Sequence, residues 1–419
     1  MTAVLRLAAL SAWSRRLTLG LTLLAIALAV TLLLAVERVR VDARQSFTQA
    51  ISGVDLVVGA RTGSVQLMLH AVFHAGAASN SIGWDSYRAI AAHPAVEWAL
   101  PLSLGDSHRG FPVLGTSADY FRLFRHGDGE GLRFVEGQAF AGVFEVVLGS
   151  EVARRLGYRP GDTITLNHGL AELGPAHGNK PFRVAGILAA TGTPVDRTLH
   201  VSLEAISALH LDWVGGAPIP GVSVPAEYVA KFDLRPKEIS AALVGLKQRS
   251  DAFRMQRFVN QYRGEALLAV LPGVALDELW QSVGMIERTL LAISALVVLI
   301  GLAGLAATLL AGLNERRREL AILRALGAGP SDIFLMLIAE GVLVTTAGAL
   351  LGLALLTLAS TLAAPWLLER FGVVLGTRWP GSEELALLGS VIATGLIAGL
   401  IPGWRAWRMS LADGLTPKT

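Results

Sequence analysis

The sequence predicts an α-helical membrane protein with four transmembrane helices and a large α+β extracytoplasmic domain inserted between helices 1 and 2. The 419 residues are 53% hydrophobic and only 16% charged, whereas soluble proteins carry about 25% charged residues. The apolar residues concentrate near 17–36 and after 290. Residues 37–285 instead have the mixed composition of a soluble domain, which predicts a folded insert in a membrane protein.

The first predicted span covers residues 17–36, an apolar run long enough to cross a hydrocarbon core of about 30 Å. Residues 1–16 are predicted to form an amphipathic helix on the cytoplasmic membrane surface. A secretory signal peptide is the alternative, because a basic start and an apolar run fit one. The run is longer than is typical of a signal peptide, and Glu37-Arg38 follows it instead of a small-residue cleavage site. We therefore predict an uncleaved span whose helix continues to about Ile51.

Three further spans are predicted in the last third of the chain, over residues 286–313, 333–364 and 384–403. A short periplasmic loop at 365–383 separates the last two, and a cytoplasmic tail follows at 404–419. Arginine dominates one side of this arrangement, at positions 6, 15, 16, 316, 317, 318, 324, 405 and 408. Because cytoplasmic loops carry the excess of positive charge, we predict a protein of the cytoplasmic (inner) membrane. Both termini are then cytoplasmic and the insert is periplasmic.

The insert mixes strands and helices without regular alternation, which favours an α+β domain. Short runs with β-branched residues predict strands at Val143–Leu148, Thr163–Leu166 and Phe182–Leu188. A further strand is predicted at Ala230–Leu234, and a helix at Lys237–Ser250.

Residues 314–332 link the second and third predicted spans, and they are more than a bare connector. Leucine and isoleucine at 320, 322, 323 and 326 form an apolar stripe beside a row of charges, and a solvated positive loop would not need that stripe. We therefore predict a cytoplasmic coupling helix whose apolar side docks on a partner. The residues assigned to this role are Glu315, Arg316, Arg317, Arg318, Glu319, Leu320, Leu323, Arg324 and Gly327.

Several motifs together resemble the FtsX/MacB-type family of ABC transporter permeases. Those similar to its C-terminal permease domain are Glu315–Ala328, Ile338-Ala339-Glu340-Gly341 and Pro402–Arg408; those similar to its periplasmic core domain are Val147–Gly157, Gly161–Ile164 and Phe182–Leu188. Order, spacing and the four-span topology agree with the resemblance. Residues 59–64 and 210–230 match no motif of the family.

The resemblance implies a permease subunit that works with a cytoplasmic ABC ATPase dimer and a second permease copy, in a homodimer or a heterodimer. It also implies that the helix at 314–332 rides in a groove of the ATPase, and that motion passes along the membrane helices to the outer domain. Family cargoes include lipoproteins, peptides and drugs, and a periplasmic adaptor or lipoprotein is a further expected partner. Some members only transmit force.

Two other functions stay open beside export or extraction by an ABC permease. One is a mechanotransmitter that moves no cargo and regulates a periplasmic partner. The other is metal-related transport or ligand sensing by the periplasmic domain. Nucleic acid is not an expected partner, because no basic patch with interleaved aromatic residues occurs.

No Gly-x-x-x-x-Gly-Lys-Ser/Thr motif occurs in the sequence, and Gly59–Ser64 lacks the required lysine. We therefore expect no enzyme activity and no cofactor on this chain, with ATP and Mg²⁺ held by the partner ATPase. The chain has no cysteine, which excludes disulfides and thiolate metal sites.

Glu340 lies about two turns into the third predicted span, and an intramembrane carboxylate suggests function. We favour the alternative that it pairs with an arginine of the 314–332 segment near the interface. His70 and His74 have the i, i+4 spacing that places two imidazoles on one helix face, so they are candidate metal ligands. Because no acidic ligand falls in the same run, ordinary surface histidines are the favoured alternative.

Overall fold

The computed structural model describes residues 16–75, 80–169, 177–214, 217–315, 317–325, 327–371 and 378–408, apart from the side chains at 46, 314–319, 365 and 367–371. The chain divides into two compact units. The helical unit comprises residues 1–43 and 283–419, and the inserted unit comprises residues 44–282.

The helices are α1 (Arg16–Gln49), α2 (Ser64–Ala71), α3 (Trp84–Ala91), α4 (Tyr120–Leu123), α5 (Ser150–Leu156), α6 (Leu203–Leu209), α7 (Ala252–Asn260), α8 (Pro272–Glu315), α9 (Arg317–Ala325), α10 (Pro330–Phe371) and α11 (Ser382–Arg408). The strands are β1 (Leu56–Ala60), β2 (Ile82–Gly83), β3 (Val96–His108), β4 (Phe111–Thr116), β5 (Arg125–His126), β6 (Glu130–Gly131), β7 (Phe134–Gly137), β8 (Glu145–Leu148), β9 (Thr163–Ile164), β10 (Asn167–His168), β11 (Phe182–Leu188), β12 (Leu199–Ser202), β13 (Trp213–Val214), β14 (Ala217–Pro218), β15 (Glu238–Ile239), β16 (Ala241–Leu246) and β17 (Leu267–Val270).

Four helices, α1, α8, α10 and α11, are long and apolar enough to cross a membrane. Helix α1 has 34 residues and α8 has 44, whereas a span needs about 20. Helix α1 therefore continues past the span at 17–36, close to the predicted end at Ile51, and α8 begins well before the predicted span at 286–313. Helix α10 continues to Phe371, so the predicted loop at 365–383 is shorter in the structure.

Helix α11 corrects the predicted end of the fourth span. Pro402 was expected to stop the helix, because proline removes one backbone hydrogen bond, yet α11 runs on to Arg408. Packing compensates for the lost bond: Ala406 is buried among the ends of neighbouring helices, and a side chain at Gly403 would meet Phe334 of α10.

Glycine at every fourth position lets α11 approach α10 closely. A Cβ atom added at Gly395 would overlap Thr345, and one added at Gly399 would lie 3.5 Å from the Cα atom of Ile338. Such small residues are typical of helix contacts in membranes, where close van der Waals packing replaces the hydrophobic effect. The rest of this core brings leucine, isoleucine and valine side chains from all four long helices together.

The inserted unit is built on a mixed sheet of eleven described strands. Its order is β17-β1-β16-β3-β4-β12-β8-β11-β7, with β10 paired to β3 and β9 paired to β11. The pairs β4–β12 and β8–β11 are parallel. Strand β3 joins the two halves, because its first part pairs with β16 and its second part with β4.

Strand β16 is buried on both faces of the sheet, which explains one wrong prediction. Leu243 faces one apolar cluster while Val244 faces another, so β16 is apolar at successive positions. Such a short run cannot be told from a helix by its periodicity, and the predicted helix at Lys237–Ser250 is in fact β15 and β16. The predicted strand at Ala230–Leu234 is also wrong, because a 3₁₀ helix occupies Ala226–Lys231.

The other three strand predictions are confirmed. Strand β8 lies within Val143–Leu148, β9 lies within Thr163–Leu166, and β11 covers Phe182–Leu188. In β8, successive side chains face two different clusters, as Val146 and Val147 illustrate.

Candidate functional site

The short helix α9 links α8 to α10, and its end is closed by a specific backbone motif. The amide of Ala328 donates to the carbonyl of Leu323 at 3.0 Å, and the amide of Gly327 donates to that of Arg324 at 3.1 Å. Gly327 has a φ of 100°. This is a Schellman motif, which needs a residue with positive φ after the helix, so the role of Gly327 is to end α9.

Helix α10 begins three residues later with its own start signals. Pro330 occupies the first helical position, where its missing N–H costs nothing. The amide of Gly329 donates to Oδ2 of Asp332 at 2.8 Å, as in a capping box. The turn between α9 and α10 is therefore defined by local backbone chemistry at both of its ends.

The apolar side of α9 packs against the chain's own helices. Leu320 is 7% exposed and belongs to one cluster with Leu313 of α8, Ile333 of α10 and Ala406 of α11. Leu323 is partly buried against the same cluster. The expectation that a partner protein buries this side is wrong for Leu320, because the ends of α8, α10 and α11 already bury it.

The outward side of α9 carries Ile322, which is 60% exposed. Sequence reasoning gave this residue no special role among the coupling residues. Of the residues assigned to coupling, Arg316 and the side chains of 315 and 317–319 lie outside the described part of the chain. Arg324 is half-buried near the end of α9. The coupling role stays a prediction, and Ile322 now provides the clearest exposed apolar contact for it.

Glu340 is half-buried within α10. It lies ten residues after Pro330, or about 15 Å along the helix. Its pairing with an arginine of the 314–332 segment stays a prediction.

A buried charge network lies within the helical unit, between α1 and the start of α11. Arg38 donates to Glu384 through Nε at 3.2 Å and Nη2 at 2.9 Å, and both side chains are almost fully buried. Arg378 bridges Glu384 and Asp42 at 3.4 and 3.3 Å. Removing one member of such a pair leaves a buried charge, which costs about 3–5 kcal/mol. Sequence reasoning noted only the mixed charges at this end of α1.

The predicted metal pair His70 and His74 does not share a helix face. Helix α2 ends at Ala71, and His74 has a φ of 50°. Nor is His70 a surface residue, since it is 3% exposed. His74 Nδ1 bonds to Thr198 Oγ1 at 2.9 Å, and burial, with a smaller effect of His70, lowers the pKa of His74 to about 4. Metal binding by this pair stays a prediction, and among the described residues the pair belongs to no group of three or more possible ligands whose atoms lie within 4.8 Å of one another.

A different set of possible ligands does converge in the inserted unit: Asp106, His168, His177 and His210. This set was hard to predict from sequence, because the four residues are dispersed between positions 106 and 210 and follow no ligand spacing. Asp106 and His168 meet because β3 pairs with β10, and His210 directly follows the end of α6.

Two family models match the chain. The MacB-like periplasmic core domain matches residues 19–226, and the FtsX-like permease C-terminal domain matches residues 291–411.

Curated proteins are similar to this chain over most of its length. Macrolide export ATP-binding/permease protein MacB of Shigella boydii serotype 4 (strain Sb227) is 27% identical over 330 residues, which cover 77% of this chain and 46% of that protein. The MacB protein of Escherichia coli (strain K12) is 26% identical with the same coverage. The chain thus spans less than half the length of these relatives.

A solved structure of the periplasmic region of MacB from Actinobacillus actinomycetemcomitans covers 55% of this chain and 94% of its own, with 12% identity and a TM-score of 0.33. The core-domain model matches the N-terminal part of the chain, and the permease model matches the C-terminal part. The structure also has four helices that are long and apolar enough to cross a membrane. The two family models, which together match most of the chain, identify it as a member of the FtsX/MacB-type family of ABC transporter permeases.

Proposed function

We propose that this chain is the permease subunit through which a cytoplasmic ABC ATPase drives a periplasmic domain, for export or extraction of a substrate. The observation that carries the proposal is the two-sided packing of α9. Its inner side is fixed to the ends of α8, α10 and α11 through Leu320, while Ile322 on the outer side is exposed. A partner that binds the outer side therefore acts on three spans at once.

The length of the helices supports transmission of that motion. Helix α8, with 44 residues, is about 66 Å long, roughly twice the thickness of a hydrocarbon core. Residues of α1 and of α8 belong to both compact units. Each helix thus provides a continuous, hydrogen-bonded backbone from the membrane spans into the inserted unit.

The ATPase, ATP with Mg²⁺, and a second permease copy complete the proposed assembly. The MacB relatives are named as combined ATP-binding and permease proteins, and we propose that a separate subunit supplies the ATP-binding part here. In the proposed orientation both termini and α9 face the cytoplasm, and the inserted unit faces the periplasm.

Substrate transport is the first candidate activity, with lipoproteins, peptides and drugs as classes. The MacB relatives are named for macrolide export, so a macrolide is the first drug to test. The second candidate is force transmission to a periplasmic partner without cargo. The continuous helices α1 and α8 suit both activities equally.

Co-purification of the ATPase with the full chain in detergent tests the docking role of α9. Fully burying an isoleucine is worth about 1.5–3 kcal/mol, so Ile322→Asp should weaken ATPase binding at least about tenfold. Val135→Asp is the matched control, because Val135 is also exposed but lies in β7. Leu320→Asp is a poorer probe, since it would disturb the chain's own packing.

The expected result is loss of the ATPase and of ATP hydrolysis from the Ile322→Asp preparation only. Equal ATPase recovery with Ile322→Asp and with the wild type would contradict docking on this side of α9.

A further inference from the structure

Three imidazoles and one carboxylate converge at one edge of the inserted unit's sheet. Oδ1 of Asp106 lies 3.1 Å from Nδ1 of His168, 3.7 Å from Nε2 of His177 and 3.6 Å from Nε2 of His210. Nε2 of His210 is 3.1 Å from Nδ1 of His168. One ligand atom from each residue lies within 4.8 Å of every other.

The backbone places two of these residues opposite each other. Asp106 on β3 pairs directly with His168 on β10. The register of β3 against β4 shifts between Leu104 and Asp106, and such a bulge re-aims the side chains that follow it. Asp106 is 1% exposed at this point, so its carboxylate needs compensation from the residues around it.

The other two histidines are held by a buried ion pair. Lys180 and Asp212 follow His177 and His210 closely in sequence, and Lys180 Nζ bonds to Asp212 Oδ1 at 2.5 Å. The same ammonium group donates to the carbonyl of Leu209 at 3.1 Å. Both histidine-bearing segments are therefore fixed to each other independently of any ligand.

The orientation of His210 presents a lone pair to the cluster. Its Nδ1 atom lies 2.9 Å from the carbonyl oxygen of Ile206, so a neutral ring carries its proton there. Nε2 then faces His168 and the carboxylate of Asp106 without a proton. A metal-ligating histidine usually donates its other ring N–H to a backbone acceptor of this kind.

His177 gives a second, independent indication of a ligand. Its side chain is 1% exposed, and neither of its ring nitrogens has a hydrogen-bond partner among the described residues. Buried polar groups are nearly always satisfied. The ring of Trp213 covers it, with centroids 4.4 Å apart, which leaves the side towards Asp106 for its Nε2 atom.

We propose that Asp106, His168, His177 and His210 bind one Zn²⁺ ion. A tetrahedral ion with bonds of about 2.0–2.1 Å holds its ligand atoms about 3.3 Å apart, close to four of the six ligand-atom separations, which are 3.1–3.7 Å. The other two, from His177 to His168 and to His210, lie within 4.8 Å. Three imidazoles with one carboxylate suit zinc. Four protein ligands fill the shell, as in structural zinc sites, so the ion joins β3, β10 and the segments that carry His177 and His210. This site goes beyond the permease role and does not depend on it.

The alternative account of the same geometry is a protonated His210. Burial lowers the pKa of His210, but the hydrogen bond and charge of Asp106 outweigh this effect and raise it. If a proton on His210 balances the charge of Asp106 instead of a metal ion, the cluster should not bind zinc.

The test measures zinc bound to the full chain in detergent, stripped with a chelator and then dialysed against Zn²⁺ with a competing chelator. The wild type should retain one zinc per chain. His168→Ala/His210→Ala should lower the affinity at least about 100-fold, because losing only a hydrogen-bond partner of a ligand already costs about 10–100-fold. These two side chains are 28% and 30% exposed, so their removal disturbs the core least.

The matched control is His70→Ala/His74→Ala, which removes two histidines of the same unit. It should bind zinc like the wild type. Co²⁺ in the wild type should give the strong visible absorption of a tetrahedral site, and the conservative variant His210→Gln should lose that absorption. Failure of the wild type to bind zinc, or unchanged binding by His168→Ala/His210→Ala, would overturn the site. Loss of zinc only in the His70/His74 variant would overturn it as well.

Discussion

At the residue scale, the structure buries polar side chains whose burial the sequence pattern does not reveal. His200 is fully buried in β12 beside the rings of Tyr120 and Phe121. Its two ring nitrogens make no well-formed hydrogen bond among the described residues, and the backbone of Val147 contributes only a weak interaction. Burial, with a smaller contribution from the charge of His74, lowers the pKa of His200 to about 3. The histidine is therefore held neutral within an apolar core.

Stability of the inserted unit should fall as the solution is acidified. An unfolded histidine has a pKa of about 6.5, so between pH 6.5 and pH 3 the unfolded state binds a proton that His200 in the folded state does not. The contribution of neutral His200 to the free energy of unfolding is complete above pH 6.5. It is lost on acidification by up to about 1.4 kcal/mol per pH unit.

Thermal unfolding of the wild type and of His200→Leu, measured from pH 7.5 to pH 5, checks this prediction. The variant should show the weaker dependence of Tm on pH. A packing defect in the variant shifts its Tm by the same amount at every pH. Such a shift can therefore be separated from the effect of protonating His200. Equal pH dependence in both proteins would show that His200 does not titrate on unfolding.

At the element scale, small residues decide how closely α10 and α11 approach each other. Gly395 on α11 faces Thr345 of α10, whereas a Cβ atom added at Gly389 on the same helix meets nothing within 4 Å. The two glycines thus differ in packing while they share the same helical backbone. Sequence reasoning placed a span here but did not separate these positions, because the contact belongs to two helices.

Gly395→Ala should destabilise the helical unit by about 1–3 kcal/mol, because an extra methyl group overpacks a close contact. Gly389→Ala is the matched control and should be neutral or slightly stabilising, since alanine favours the helix by about 0.5–1 kcal/mol. Thermal unfolding of both variants in detergent measures the difference. A Tm for Gly395→Ala equal to that of Gly389→Ala would contradict the close contact.

Elements of the inserted unit show where local patterns succeed and fail. The strand at Phe182–Leu188 was predictable, because buried residues such as Val184 alternate along it with more exposed ones such as Arg183. Strand β16 was not, because all six of its residues are buried and alanine and leucine also favour helices. Burial on both faces depends on neighbouring strands, which no local window contains.

At the scale of the whole molecule, the asymmetry of the arginines predicts the orientation in the membrane. An alkaline phosphatase fused after Gly221, which lies in the inserted unit, should be active, because the enzyme folds only outside the cytoplasm. The same reporter fused after Thr419 should be inactive. The reverse fusion set, with a reporter that is fluorescent only in the cytoplasm, provides the control. Phosphatase activity at Thr419 would imply an odd number of spans.

The sequence by itself determined the four apolar helices, the folded insert and the amphipathic segment between the second and third spans. These features follow from composition and periodicity along a single segment, and hydropathy over about 20 residues is a local property. Tertiary structure alone decided that Leu320 is buried by the helix ends while Ile322 is exposed. It also decided that Asp106 meets three histidines from distant parts of the chain. Both outcomes depend on strand register and helix packing, which arise from contacts between segments that have no relation in sequence.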